Sequence, residues 1–341
     1  MKKTLSLAFL FLVEISAFAA KKQQIPEWVL NLESVFPAEH FITKEGIGKT
    51  QDEARLNALS EISFFFDTKV NSIKEAHYNA LETEDANGKS FKTQKELQTS
   101  TKLNSNIHLN SVEFEKPWKD KKKKEWHCLC YIKRENLWNQ YDTELNLSKD
   151  DFLNFLKKAE SCEEPFAKIT LLETALEKGI IFLDKLSYAE FLSEKLTNEK
   201  YNATLQKLSK VPGFIYDVKS QNPVYIEVTE DQGKAVYSAV LKALTDSGFQ
   251  VTSEKKNAGF TAKVNVNLEN YLDDEIYVYS PSVQIDFSGK NGSLYVYSKN
   301  FDKIKVYTEN LGKKKCITAI VNEINTTLKE NFTNERKVII K

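Results

Sequence analysis

The chain is poor in glycine and proline, 11 and 7 in 341 residues. That scarcity argues against collagen-like or disordered character. It has no net charge, since 48 basic residues balance 48 acidic ones, so no whole-molecule field favours nucleic acid. Beyond the first twenty residues it lacks an apolar run approaching the ~20 residues that a membrane-crossing helix needs. The long helical patterns below leave too little strand for a β-barrel. Histidine is sparse and scattered at His40, His77, His108 and His127, with no two at i, i+4. There is no G-x-S-x-G elbow, no H-E-x-x-H and no kinase-type set. These absences argue against an enzyme and against a bound metal or cofactor.

The first nineteen residues carry a clear pattern. Lys2 and Lys3 precede an apolar run from Leu5 to Val13, and Ala17-Phe18-Ala19 follows. Positive start, short apolar run and small residues at the cleavage positions are the three parts of a secretory signal peptide. Cleavage after Ala19 removes Lys2, Lys3 and Glu14, leaving 46 basic against 47 acidic residues. No cysteine lies near the cleavage site, so the lipid attachment of a bacterial lipoprotein is not expected. Export permits disulfides. Cys128, Cys130, Cys162 and Cys316 allow three pairings and select none. Their simplest reading is buried small hydrophobes.

At ~150 residues per domain the length implies two or three domains. Thr50 and Glu53 form a capping box. Ala54, Ala58, Ile62 and Phe65, widened by Leu59 and Phe66, predict an amphipathic helix of about four turns. After Val70 the pattern turns extended and polar. Leu103 to Phe114 alternates as a strand, and Trp126 to Ile132 reads as a central strand buried on both sides. These make a first α+β domain over residues 25–145. Residues 148–210 carry four apolar stripes at helical spacing, with Ser148 and Asp151 read as a cap, and predict a helical segment joining two domains. Val211-Pro212-Gly213 marks a boundary. Residues 211–341 then predict a strand, a helix from Gly233 to Gly248, further strands to Ser298, and a terminal helix through Cys316, Ile320, Ile324 and Leu328. The expected fold class is α+β: two α+β domains joined by a helical segment.

Thr43-Lys44-Glu45-Gly46-Ile47-Gly48-Lys49-Thr50 fits the phosphate-loop spacing G-x-x-x-x-G-K-[ST] except at its first position. Thr43 stands where the wrapping glycine belongs. The segment is better read as a strand-to-helix turn, with Gly46 and Gly48 for backbone freedom and Thr50 as N-cap. Alternation places His127 opposite Cys128 and Cys130, so these three do not converge on one ion. Asp273-Asp274 reads as a solvated turn.

Two features bear on partners. Lys121, Lys122, Lys123 and Lys124 sit at a hairpin tip flanked by Trp118 and Trp126. The tip is either a solvated device that protects strand edges or a contact for anionic lipid or another envelope polyanion. Tyr277, Tyr279, Tyr295 and Tyr297 fall in pairs on one face of successive strands. If exposed they form a partner surface; if covered by helices they are core.

Pro26-Glu27-Trp28, Gly46-Ile47-Gly48, the helical Asp52-Glu53-Ala54-Arg55-Leu56-Asn57-Ala58 and the closing Tyr131-Ile132-Lys133-Arg134 resemble the Lpp-twenty family of bacterial envelope lipoproteins. The likeness covers residues 25–140 and extends to the N-terminal domain of the flagellar H-ring protein. Val236 to Gly248 followed by Phe249-Gln250-Val251 resembles the TolB-N/CsgG-like envelope modules. These resemblances imply no catalytic residues and no cofactor. They imply a non-catalytic periplasmic or outer-membrane-associated protein that assembles with other envelope proteins, homo-oligomers included. The alternative they leave is a binding module for an envelope polyanion or glycan, through Lys121–Lys124 and exposed aromatics. One outcome follows directly. Mass spectrometry of the protein recovered from the cell envelope should give Ala20 as the first residue, and a chain retaining Met1 would sink the leader reading.

Overall fold

A computed structural model describes residues 25–81, 111–229 and 234–328. The leader, most of the strand expected from Leu103, and Gly233 lie outside those residues. The chain divides into two compact units. Among the described residues, one comprises 25–63 with 111–133, and the other 64–81 with 134–229 and 234–328. The fold is mixed α and β, as the sequence predicts.

The first unit opens with two single-turn helices, α1 (Glu27–Leu30) and α2 (Leu32–Val35). Strand β1 (Phe41–Gly48) then leads into helix α3 (Gln51–Leu81). β2 (Glu113–Phe114), β3 (Trp118–Asp120) and β4 (Glu125–Lys133) complete an antiparallel sheet. β4 is central, paired with β1 on one side and with β2 and β3 on the other. A central strand must be apolar on both faces, and His127 to Cys130 are all buried. Leu129 packs with Trp28 and Phe36 on one face. Cys128 and Cys130 face the other way, towards α3, where the Cys130 thiol donates to the Ala58 carbonyl at 3.2 Å.

The glycines of β1 have a purpose other than the one expected. Neither has a positive φ. A Cβ at Gly46 would collide with the backbone of Ala54 and Ala58, and one at Gly48 would lie 2.6 Å from the Ala54 nitrogen. The requirement is close approach of strand to helix, not backbone freedom. The capping box is present. The Glu53 N–H donates to Thr50 Oγ1, and the Glu53 carboxylate accepts the Lys49 N–H at 2.8 Å.

Helix α3 runs 31 residues, well past the four turns expected. Its buried face continues beyond Ile62 through Phe66, Val70, Tyr78 and Leu81. The apolar pattern breaks at Lys74 and His77 because partners within the second unit satisfy them. Lys74 Nζ lies 3.5 Å from buried Asp184, and His77 lies 2.7 Å from Glu190.

The second unit holds four further helices, α4 (Arg134–Glu160), α5 (Pro165–Leu192), α6 (Glu194–Leu208) and α7 (Val211–Gln221). The segment expected to begin at Ser148 begins at Arg134. Ser148 is not a cap. It sits inside α4 and its hydroxyl donates to the Glu144 carbonyl four residues back. The second and third apolar stripes are one helix, α5, apolar around most of its girth. Pro212 and Gly213 lie in the first turn of α7, where proline fits because its missing N–H has no helical partner.

β5 (Val224–Val228), α8 (Ala235–Asp246) and β6 (Val251–Thr252) follow. Then come β7 (Phe260–Asp273), β8 (Ile276–Gly289), β9 (Gly292–Asn300), β10 (Ile304–Val306) and α9 (Glu309–Glu323). The strand order is β10-β8-β7-β5-β6, with β9 also on β8. Gly248 ends α8 at φ +80°, the expected left-handed cap. Val236 and Val240 of α8 and Ile317 and Ile320 of α9 cover the sheet face of Val264, Val283, Ile285 and Phe287. Phe166 of α5 reaches the same core, 5.5 Å from the Phe287 ring centre. Lys219 of α7 ties these layers together, 2.9 Å from Glu173 and donating to the Ser247 carbonyl at 2.7 Å.

The glycine contacts give a contrast to measure. Gly46→Ala should cost at least about 2 kcal/mol in urea unfolding, as overpacking does. Gly213→Ala, with nothing near its Cβ, should be neutral or slightly stabilising. Equal effects at the two sites would contradict the close-approach account.

Candidate interaction surfaces

The loop that resembles a phosphate cradle is bonded locally, its Lys49 N–H to the Glu53 carboxylate. Thr50 Oγ1 accepts the Glu53 N–H at the start of α3, and Asn57 donates to the Ile47 carbonyl at 2.8 Å. Two carboxylates, Asp52 and Glu53, stand in the first helical turn, where they complement the helix dipole and oppose a second anion. Among the described residues no group of three or more metal-ligating side chains converges.

The thiols are free among the described residues, and Cys128, Cys130 and Cys316 are buried. Burial pushes the Cys130 thiol up to about 12, and raises Cys128 and Cys316. A thiol so held has almost no thiolate and little nucleophilicity. His127 points to the opposite face from them, with Nδ1 2.6 Å from Glu45 and its ring 5.1 Å from that of Trp118.

The carboxylate cluster between helices of the second unit is also committed. Tyr78 donates to Asp184 at 2.6 Å, and burial, aided by that bond, raises the phenol's pKa. Asp142 accepts from Lys200 and from Tyr201. Burial opposes its ionisation, but the Lys200 and Tyr201 hydrogen bonds prevail and hold it below the usual carboxylate range.

The expected tyrosine surface is not there. Tyr279, Tyr295 and Tyr297 are buried. Helix α9 covers them because its Gly312 lets the backbone approach the Tyr279 ring. The Tyr279 hydroxyl donates to the Glu309 carbonyl at 3.0 Å, and Tyr297 to Glu323 at 2.9 Å. Only Tyr277 is half-exposed. The tyrosines are not cross-strand partners either: Tyr295 pairs with Phe287 and Tyr297 with Ile285.

The lysine tip is there, and it is ordered. Lys121, Lys122, Lys123 and Lys124 are exposed between β3 and β4. Asp120 Oδ1 accepts the N–H groups of Lys122 and Lys123 at 2.8 and 3.2 Å. Those bonds hold the carboxyl below its ordinary pKa, that from Lys123 most of all. Lys124 takes φ +60° to close the turn. Trp118 is half-buried and packs against the cluster of Trp28 and Leu129, with its indole N–H buried and without a partner. Trp126 is half-buried, with Lys119 Nζ 5.4 Å above its ring.

The solvated turn expected at Asp273-Asp274 is present and forms a second tip. β7 and β8 are 14 residues each, but β5 pairs only with residues 260–264 of β7. The outer halves therefore run on as a hairpin whose β7 residues are exposed from Glu269 to Asp273. Tyr271 is 50% and Leu272 62% exposed. The turn residues Asp274 and Glu275 both have positive φ, +44° and +69°, the backbone of a two-residue hairpin loop that normally takes Asn-Gly. The length mismatch between β5 and the run from Phe260 sets the projection of that turn.

No protein-family model matches the chain. No curated protein is similar to it in sequence. Among solved structures, a secreted protein of Helicobacter pylori, HP1454, aligns at 12% identity and TM-score 0.35, over 84% of this chain and 98% of its own. A minor lipoprotein of Acinetobacter baumannii aligns at 12% identity and TM-score 0.26, over 34% of this chain and 93% of its own. The lipoprotein GNA1162 of Neisseria meningitidis aligns at 12% and 0.21, over 31% and 99%.

Burial of the thiols sets a simple measurement. A small aromatic disulfide reagent should titrate at most Cys162 in the native protein and all four thiols after unfolding. Fast native reaction of two or more thiols would contradict the buried positions of Cys128, Cys130 and Cys316.

Proposed function

We propose that this chain is a non-catalytic component of the bacterial cell envelope, periplasmic or peripheral to the outer membrane, that works by assembling with other envelope proteins. What supports the reading is the disposition of its charged and reactive side chains. Buried ones are engaged: Asp184 with Tyr78 and Lys74, and Lys219 with Glu173. Two ordered hairpin tips carry runs of exposed charge of one sign, at Lys121–Lys124 and at Asp273–Glu275. Tips held on sheets suit recognition, because little side-chain and loop ordering is left to pay on binding. No described helix is long and apolar enough to cross a membrane. The leader pattern and the first-domain resemblance together support export.

A second reading has its own observation. Four exposed lysines in one turn, beside a half-buried Trp126, suit an anionic lipid or polysaccharide. The two readings separate by experiment. Photo-crosslinkers placed at Lys122 and at Tyr271 in intact cells should yield discrete adducts with envelope proteins. Lysine-dependent, salt-sensitive flotation with anionic vesicles, without protein adducts, would favour the second reading. Turnover in a broad hydrolase panel, abolished by one side-chain change, would overturn both.

A further inference from the structure

We propose that the chain associates with copies of itself head to tail, the Lys121–Lys124 tip of one copy seating on the β7–β8 hairpin of the next. The proposal deepens the assembly reading and rests on it.

The receiving surface is a sheet face without its cover. On β8 the residues Tyr279, Val283, Ile285 and Phe287 share the face that the helices cover. Leu268 of β7 packs into the Tyr279 cluster on that face. Side chains alternate along a strand, so Leu272 lies on the same face four residues on. It pairs with Tyr277, which pairs in turn with Val306. Helix α9 starts at Glu309, whose carbonyl takes the Tyr279 hydroxyl. The face therefore loses its cover just where Leu272 and Tyr277 continue it. Leu311, in the first turn of α9, is 45% exposed beside that step. The result is an apolar ledge.

Charge decides what fits it. Residues 269–275 hold Glu269, Asp273, Asp274 and Glu275 and no base. All four are exposed, and among the described residues no ion pair engages any of them. The nearby bases are Lys303, just before β10, and Lys305 within it; Lys303 Nζ lies 5.6 Å over the Tyr271 ring. The ledge thus calls for a basic partner with some apolar surface. The same chain supplies one. Residues 119–125 hold five lysines against Asp120 and Glu125. Lys121 to Lys124 are likewise exposed and, among the described residues, outside every ion pair, with the half-buried Trp126 beside them. Complementary unpaired charge on two unlike surfaces of one chain makes a heterologous contact, which builds rings or filaments rather than two-fold dimers. Each contact is small, below the ~1,200 Å² of a stable interface. It should therefore be weak, fast and sensitive to salt.

Sedimentation velocity on the purified chain tests this. At a protein concentration on the order of 100 µM and low ionic strength, species larger than a dimer are expected, and they should shrink as salt shortens the screening length. One variant reverses the basic tip: Lys121→Glu, Lys122→Glu, Lys123→Glu and Lys124→Glu. The other reverses the hairpin: Asp273→Lys, Asp274→Lys and Glu275→Lys. Every change is at an exposed position, so melting temperatures should match the parent. Each variant alone should be monomeric. Mixing the two, or combining all seven changes in one chain, should restore assembly. A parent monomeric under all conditions, or oligomers indifferent to either reversal, would overturn the proposal. So would a monomer that instead floats with anionic phosphatidylglycerol vesicles through the same lysines. A monomer that still forms crosslinks to other envelope proteins would sink self-association and leave the proposed function intact.

Discussion

One helix must serve two unlike cores, and much of the molecule follows from that. The first half of α3 is held by absence of bulk: Ala54 and Ala58 admit the backbone of β1 only because Gly46 and Gly48 carry no side chain. Its second half is held by polar pairs, Lys74 with the buried Asp184 and His77 2.7 Å from Glu190. Small-residue contact is indifferent to pH and salt. A buried ion pair is not, and removing one partner leaves the other unpaired in low dielectric. The same helix therefore has a robust end and a conditional one.

Elements were legible in the sequence where burial alone writes the pattern. β4 shows this: residues apolar on both faces announced a central strand, and the neighbours it needs are there. The start of α3, with its capping box, was equally plain. The end of α3 was not, because Lys74 and His77 occupy positions on its packed side and look like solvent-facing residues until Asp184 and Glu190 are placed opposite. Ser148 misled for a related reason. A serine followed by acids reads as a cap, but inside a helix its hydroxyl bonds the preceding turn instead.

The surfaces were half legible. The lysine run was visible as composition, and its turn now has a mechanism in the two N–H bonds to Asp120. The tyrosines were ambiguous because strand alternation gives a face but not what covers it. Gly312, 33 residues from Tyr279 along the chain but packed on its ring, places that tyrosine in the core. The acidic turn at Asp273-Asp274 is legible in the sequence, but its projection is not. Only the shortness of β5 beside the 14-residue β7 makes it project.

The paired thiols of β4 carry a consequence for how the protein is made. Cys128 and Cys130 are protected only once β1, α3 and β4 have met, and that closure joins residue 41 to residue 133. Such distant contacts form late relative to local helices. A chain delivered unfolded into an oxidising compartment would expose both sulfurs throughout that interval. Folding then competes with oxidation, and the compactness of the first sheet becomes a matter of timing as well as of stability.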